Sequence, residues 1–376
     1  MEVASATLKP REERRLLRGH LWAYRNEFKQ LPDAQDGALV DVFTSQRRFV
    51  GRGFFQASGG IAVRLLTRHQ ETIDGEYLES AIRRAHAYRE TCFPGEATYR
   101  WVFGESDGLP GLVIDRYGPL AVAVSDCAFY AAWADSLAEV LLKTEGVFYV
   151  HLRLGGDDRI VGDPPEEIPY SLDGAAYTLR LDGTQKTGAF LDQRCNRQAI
   201  AHLVRDARVL DGHCYHGHWS VAAASAGAGH VTGVDTSGPA LDQARANAEA
   251  NGVADRCTFQ QQPVEDALKT EEPYDVVIVD PPAYAKARAQ RSRAIARYRT
   301  LNTAAMAAVK PGGYLVSCSC SHFVDPAAFQ DMLKQAAAGA QRTAWLVEMR
   351  GAGPDHPVLL AMPETAYLKC AILRVL

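Results

Sequence analysis

The chain predicts an α/β protein in which a doubly wound, Rossmann-like domain is preceded by a small β-barrel and a central α+β domain. Three observations carry that expectation. The first seventy residues hold short alternating apolar runs separated by Gly, Ser and Asp; the middle mixes strands and helices over short connections; and from about Asp192 strands and helices alternate strictly. The corresponding domains are 1–72, 73–184 and 185–376.

Taken in order, residues 38–43, 49–55 and 61–66 alternate with period two, the pattern of half-buried strands closing into a barrel. Residues 74–90 read as a charged amphipathic helix, 101–103, 111–114, 120–124 and 149–152 as strands, and 130–143 as a second helix. Beyond Asp192, strands are expected at 207–210, 231–234, 275–279 and 313–316, with helices at 219–226 and 239–251. The 275–279 run is almost unbroken in apolar residues, as a strand covered on both faces requires, and the last strand follows a turn at Pro311-Gly312-Gly313. Repeated units of this kind build a parallel sheet, which binds ligands beyond the carboxyl ends of its strands.

Composition excludes several classes. Over 376 residues, 47% apolar and 23% charged argue for a globular chain and against disorder, collagen or coiled coil. There is no run of about 18 uncharged apolar residues, and the first residues lack a basic flank followed by an apolar stretch, so a cytoplasmic protein with no membrane partner is expected. The eight cysteines are scattered without a CxxC pair and are expected as thiols. The net charge of −4 hides an asymmetry, because residues 1–70 carry +5. A second cluster, Lys286, Arg288, Arg291, Arg293, Arg297 and Arg299, falls in the acid-free stretch 285–299, whose Ala content favours helix. Clustered cations of this kind point to a polyanion such as nucleic acid.

Chemistry gathers at the strand ends. The first strand of the α/β domain runs into Asp211-Gly212-His213-Cys214-Tyr215-His216-Gly217-His218, a loop that opens a helix, and Gly217 allows a close turn there. The next strand ends at Asp235, where a carboxylate can accept from two ribose hydroxyls. No GxGxxG is present to hold a pyrophosphate, so an adenosyl cofactor without phosphates, S-adenosylmethionine, fits better than NAD. Three histidines and Cys214 in one tight loop also invite a zinc reading, but no second cluster closes such a site, and no metal is expected. Cys318 and Cys320 follow the fifth strand and start on one side by the period of two; each reads either as a buried small hydrophobe or as a thiolate nucleophile.

Together these residues resemble the RlmI-type family of 23S ribosomal RNA 5-methylcytosine methyltransferases, nearly from end to end. Arg18-Gly19-His20-Leu21-Trp22 is similar to a segment of the family's RNA-binding PUA barrel. Phe103-Gly104-Glu105-Ser106-Asp107-Gly108-Leu109-Pro110-Gly111-Leu112-Val113-Ile114-Asp115-Arg116-Tyr117-Gly118 resembles its central-domain signature. Gln185-Lys186-Thr187-Gly188-Ala189-Phe190-Leu191-Asp192-Gln193-Arg194 is similar to the segment that precedes the catalytic domain and folds over the cofactor, and Asp355-His356-Pro357 and Tyr367-Leu368-Lys369 also fit.

The resemblance implies that Cys320, in Ser319-Cys320-Ser321, is the nucleophile toward cytosine C6, that Asp280 of Asp280-Pro281-Pro282 faces the base near N3 or N4, and that Lys186 contacts the base or its adduct. It implies a cofactor site of Arg194, Asp211, His213, Tyr215, Gly217, Asp235, Thr236, Gln262, Asp280 and Pro281. RNA would be held by Arg18, His20 and Trp22 and by Lys286, Arg288, Arg291 and Arg293, the partner being 23S rRNA or the large ribosomal subunit, with a homodimer as the assembly. The chain departs from the family at His216 and His218, which replace small residues, and at Gln262, which replaces an acid. A bulky side chain in a close-approach loop is expected to weaken cofactor binding. Two other readings stay open: an rRNA guanine methyltransferase, and an RNA-binding ribosome assembly factor with weakened catalysis.

Overall fold

The computed structural model describes residues 3–181, 188–285 and 287–376. The chain divides into two compact units, one formed by the described residues of Met1–Ser171, Leu179–Gly188 and Pro354–Thr365, the other by Leu172–Thr178, Ala189–Gly353 and Ala366–Leu376.

The first unit contains two sheets. The barrel sheet takes β1 (Ala4–Leu8), β2 (Trp22–Tyr24), β3 (Phe28–Gln30), β4 (Leu39–Phe43), β5 (Phe49–Phe55) and β6 (Ile61–Thr67) in the order β2-β6-β5-β4-β1-β3. The three alternating runs in the sequence are its central strands, and their inward residues Val40, Val42, Val50, Val63 and Leu65 are buried. The second sheet takes β7 (Thr98–Phe103), β8 (Val113–Tyr117), β9 (Leu120–Ser125), β10 (Tyr149–Leu154) and β11 (Asp157–Val161) in the order β11-β10-β9-β8-β7. The helix Gly75–Cys92 starts where Asp74 accepts the Tyr77 N–H at 3.0 Å, and it buries Leu78, Ala81, Ile82 and Ala85 at helical spacing. Phe54 of the barrel stacks on Phe129 at 4.7 Å and shares a core with Trp101 and Ile114, so the expected division at residue 72 is a change of sheet inside one unit.

Two segments lie in the other compact unit from the one their expected domain limits would place them in. Residues 354–365, expected in the methyltransferase domain, belong to the first unit, because buried Asp355 accepts the Arg100 N–H at 3.0 Å and its carbonyl accepts from Arg89 at 2.7 Å. Residues 172–178, expected in the central domain, belong to the second. They form the tip of a hairpin, β12 (Glu167–Leu172) and β13 (Ala175–Arg180), whose turn residues Asp173 and Gly174 both take positive φ, at 57° and 78°.

The second unit is built on a seven-stranded sheet: β14 (Arg208–Gly212), β15 (His230–Asp235), β16 (Cys257–Gln261), β17 (Tyr274–Val279), β18 (Val309–Ser319), β19 (Ala344–Arg350) and β20 (Lys369–Val375), in the order β16-β15-β14-β17-β18-β20-β19. Strands β16 to β18 are mutually parallel, whereas β20 pairs antiparallel with both β18 and β19. Val276, Val277, Ile278 and Val279 are wholly buried, which accounts for their unbroken apolar run. The chain order reverses between β14 and β17, and this switch point is where a doubly wound sheet opens a ligand crevice. Pro311-Gly312-Gly313, expected as a turn before the last strand, is instead an irregularity within β18, which pairs with β17 on either side of it. The basic stretch 285–299 is helical only from Arg291, in Arg291–Ala307, after a 3₁₀ turn at Arg288–Gln290. Several cations at a helix N-terminus oppose the helix dipole, which disfavours extending that helix backward.

Candidate active site

The loop after β14 is shaped by its backbone. His213, Tyr215 and Gly217 take φ of 63°, 50° and 73°, a left-handed sequence that only glycine adopts without cost. Gly217 is required by packing as well as by the turn: a Cβ there would stand 3.0 Å from the Ala244 Cβ and 3.3 Å from Phe259. Asp235, at the end of β15, lies across this loop and accepts the Tyr215 N–H at 3.1 Å on one oxygen and the Ser237 N–H at 2.9 Å on the other. Each carboxylate oxygen has a second lone pair, which suits it to a pair of vicinal hydroxyls.

Beneath the loop, Asp211 is buried and accepts from Ser220 Oγ at 2.6 Å, while its other oxygen and His213 Nδ1 are buried without a hydrogen-bond partner. Burial, reinforced by the nearby Asp280 and Asp235 charges, pushes the Asp211 carboxyl up to about 7. Gln262 is half-buried and donates its amide to Gln260 at 2.8 Å, which leaves its carbonyl oxygen to accept an amino hydrogen. Exposed Thr236 accepts from Gln261 at 3.1 Å through its carbonyl. Arg194, expected at the cofactor, is buried with its guanidinium against Asp173 of the hairpin tip.

The departures at 216 and 218 are absorbed by aromatic packing. The His218 ring is buried and stacks on Tyr177 at 4.5 Å, and the His216 ring stacks on Tyr215 at 3.7 Å. Burial holds both rings neutral, taking His216 down to about 4. Among the described residues no group of three or more His, Cys, Asp or Glu is placed to hold a metal ion. The donor set matches an adenosyl group: a carboxylate for hydroxyls, unpartnered buried polar atoms, and a Gly-poor loop with no cradle for phosphates.

On the other side of the switch point, Asp280 ends β17. One of its oxygens accepts from Gln193 Nε2 and Trp219 Nε1, each at 3.1 Å, and burial pushes its carboxyl up to about 6 against those two hydrogen bonds. The next residue, Pro281, is buried, and its carbonyl lies 4.0 Å from Cys320 Sγ. Cys320 is half-buried just past β18, and its turn is tied to the Asp280 loop because Ser321 Oγ accepts the Ala285 N–H at 3.2 Å. Cys318 is different: it is fully buried opposite Cys370 in the β18–β20 pairing, and burial raises its thiol well above the ordinary value. The two thiols therefore diverge once the chain leaves the strand, Cys318 buried within the sheet and Cys320 half-buried beyond it.

Three residues that sequence reading did not single out as site residues complete this side. Gln193 lies in the segment resembling the cofactor flap, which was a usable signal; Trp219 carried none. Lys369, in the Tyr367-Leu368-Lys369 match, is buried and donates to the carbonyls of Ser321 and Tyr367, both at 2.7 Å. Lys186 and Lys286 lie outside the described residues.

The expected RNA contacts divide. Arg18, Arg288 and Arg293 are exposed, as are Arg297 and Arg299, whereas Arg291 pairs with Asp325 at 3.0 Å. His20 and Trp22, also expected at RNA, lie deeper: His20 is buried, and Trp22 is half-buried with its indole N–H donated to Glu105 at 2.8 Å.

A PUA-like domain model matches residues 6–68, and a model of the S-adenosylmethionine-dependent methyltransferase family matches residues 131–374. The chain is 33% identical to ribosomal RNA large subunit methyltransferase I of Alteromonas mediterranea over 99% of each chain. It is 34% identical to the protein of that name from Shewanella denitrificans over 98% of each. Among solved structures, the candidate methyltransferase SMU.776, crystallised with SAH, has a TM-score of 0.89 at 19% identity and is covered completely by 99% of this chain, a likeness of fold.

Proposed function

Because the chain belongs to the S-adenosylmethionine-dependent methyltransferases, in the branch of ribosomal RNA large subunit methyltransferase I, we propose that it methylates C5 of a cytosine in 23S rRNA through a covalent adduct at Cys320. The observation that carries this reading is the thiol beyond β18, 4.0 Å from the Pro281 carbonyl and one strand away from the switch point.

Cytosine C5 is a poor nucleophile until a thiolate adds to C6. The Cys320 sulfur forms a bond to C6, and the displaced π electrons make C5 nucleophilic. Asp280, its oxygen fixed by Gln193 and Trp219, faces N3 or the N4 amino group and stabilises the ring as it gains electron density. S-adenosylmethionine, when bound, supplies an electrophilic methyl group. Asp235, Tyr215, Thr236 and Gln262 would hold the cofactor, Asp235 as acceptor for its ribose hydroxyls and Gln262 as acceptor for its adenine amino group. Removal of the C5 proton returns the electrons to the ring and expels the Cys320 sulfur. A base in a duplex or tight loop must be unstacked to reach such a site, and the exposed Arg288, Arg293, Arg297 and Arg299 supply cations for its phosphates.

Transfer of labelled methyl groups to rRNA from a strain lacking this protein, followed by nucleoside mass spectrometry, tests the reading. Labelled 5-methylcytosine is expected. Label in guanosine or adenosine overturns the covalent mechanism, and no label on RNA or subunits favours the assembly factor.

A further inference from the structure

Lys369 is a buried cation without a buried anion. It opens β20 directly across from Ser319 at the end of β18, and its Nζ donates to Ser321 O and Tyr367 O. Both are neutral acceptors, and among the described residues no carboxylate lies within 4.0 Å of it. A desolvated ammonium with only carbonyl partners is costly unless an anion faces it. Residues 319 and 321, which Lys369 pairs with and bonds to, bracket Cys320.

We infer that Lys369 is a positioning residue that acts as counter-ion to Cys320, holding the thiol as a thiolate and clamping the turn that carries it. This rests on the reading of Cys320 as nucleophile and extends it to how the nucleophile is activated. A cation beside a thiol lowers its pKa, because the thiolate is the form it attracts. The reciprocal effect is present: burial lowers the ammonium to about 8, while Cys320 first and Asp325 second act to raise it. Among the described residues, Tyr298, whose hydroxyl bonds Ser321 Oγ at 2.8 Å, and Cys370, the next residue on β20, also face this pair. Asp325 is largely exposed and already pairs with Arg291, so it does not neutralise the ammonium. Tyr367 carries the same strand end toward Asp280, since its hydroxyl donates to Asp192, which precedes Gln193. The stretch Tyr367–Lys369 thus braces both the nucleophile and the carboxylate opposite it.

The test is alkylation of the full-length protein by iodoacetamide as a function of pH, with each cysteine followed by peptide mass spectrometry. In the wild type, Cys320 is expected to react with a midpoint below the ordinary thiol value of about 8.5. Cys257, which burial pushes up to about 11, serves as an internal contrast. In Lys369→Met the Cys320 rate at pH 7 should fall by about tenfold or more and recover at alkaline pH. In Lys369→Arg the wild-type midpoint should be largely retained. A wild-type midpoint at or above about 8.5 overturns the ion pair even if Lys369→Met does not fold. So does an identical profile in a folded Lys369→Met. Methyl transfer by Cys320→Ala is measured separately: full activity there overturns the nucleophile, whereas the alkylation profiles decide the ion pair by themselves.

Discussion

The two halves of the seven-stranded sheet solve different problems with different means. On the β14–β16 side, the site is made of backbone: a left-handed loop at 213–217, a carboxylate that anchors two N–H groups, and histidines held neutral by aromatic packing. On the β17–β18–β20 side, it is made of ionisable side chains, with Asp280, Cys320 and Lys369 gathered at the strand ends. In the proposed reading the first half binds by shape and hydrogen bonding and the second holds groups whose charge states set a reaction. Substitutions in the two halves should therefore fail in different assays.

The largest effect is expected at the nucleophile. Cys320→Ala should lower methyl transfer by about a thousandfold or more while RNA affinity in a filter-binding assay stays within a factor of two or so of wild type. Retained RNA binding with lost chemistry is what separates a nucleophile from a structural thiol. On the other half, Asp235→Ala should weaken S-adenosylmethionine binding, measured by calorimetry, by roughly tenfold to a hundredfold, since it removes the hydroxyl acceptor and releases Tyr215 N–H and Ser237 N–H. Unchanged affinity in that variant would place the cofactor elsewhere.

Asp211 gives an effect of the opposite sign. Its folded carboxyl titrates near 7 whereas an unfolded aspartate titrates near 3.8, so the native state holds the proton more tightly. That contribution is complete below about pH 4 and is lost as pH rises through about 7. Asp211→Asn should raise thermal stability at pH 8 by roughly 2 kcal/mol and leave it little changed near pH 4, as read from melting curves of the ligand-free protein. The smallest effect belongs to the basic helix. Arg288→Ala and Arg293→Ala should each weaken RNA binding only a few-fold, uniformly across sequences, and flatten its salt dependence by about one counter-ion per lost phosphate contact.

Much of this architecture could be read from residue order. Period-two runs at 38–43, 49–55 and 61–66, the apolar run of β17 and the strand-loop-helix at Asp211–His218 are local patterns, because burial on one face or both imposes them directly on neighbouring residues. The motif around Cys320 was legible through the resemblance of Ser319-Cys320-Ser321 to the family's pattern. What could not be read is whatever depends on partners far along the chain. Pro354–Thr365 joins the first unit because Arg89 and Arg100 meet Asp355, more than two hundred residues away in sequence. The residue order of Arg18–Trp22 also gave no sign that Trp22 and His20 hydrogen-bond to Glu105 and Glu364, residues far along the chain. Cys318 and Cys320 look equivalent by spacing, and only the β18–β20 pairing buries one and leaves the other at the sheet end. Sequence patterning determined the elements and the loop after β14, because those follow from periodicity and residue chemistry, whereas the choice of Cys320 over Cys318 came from the family resemblance of Ser319-Cys320-Ser321. Tertiary structure alone decided that the Lys369 ammonium meets the turn carrying Cys320, because β20 arrives antiparallel to β18 and nearly fifty residues later in sequence.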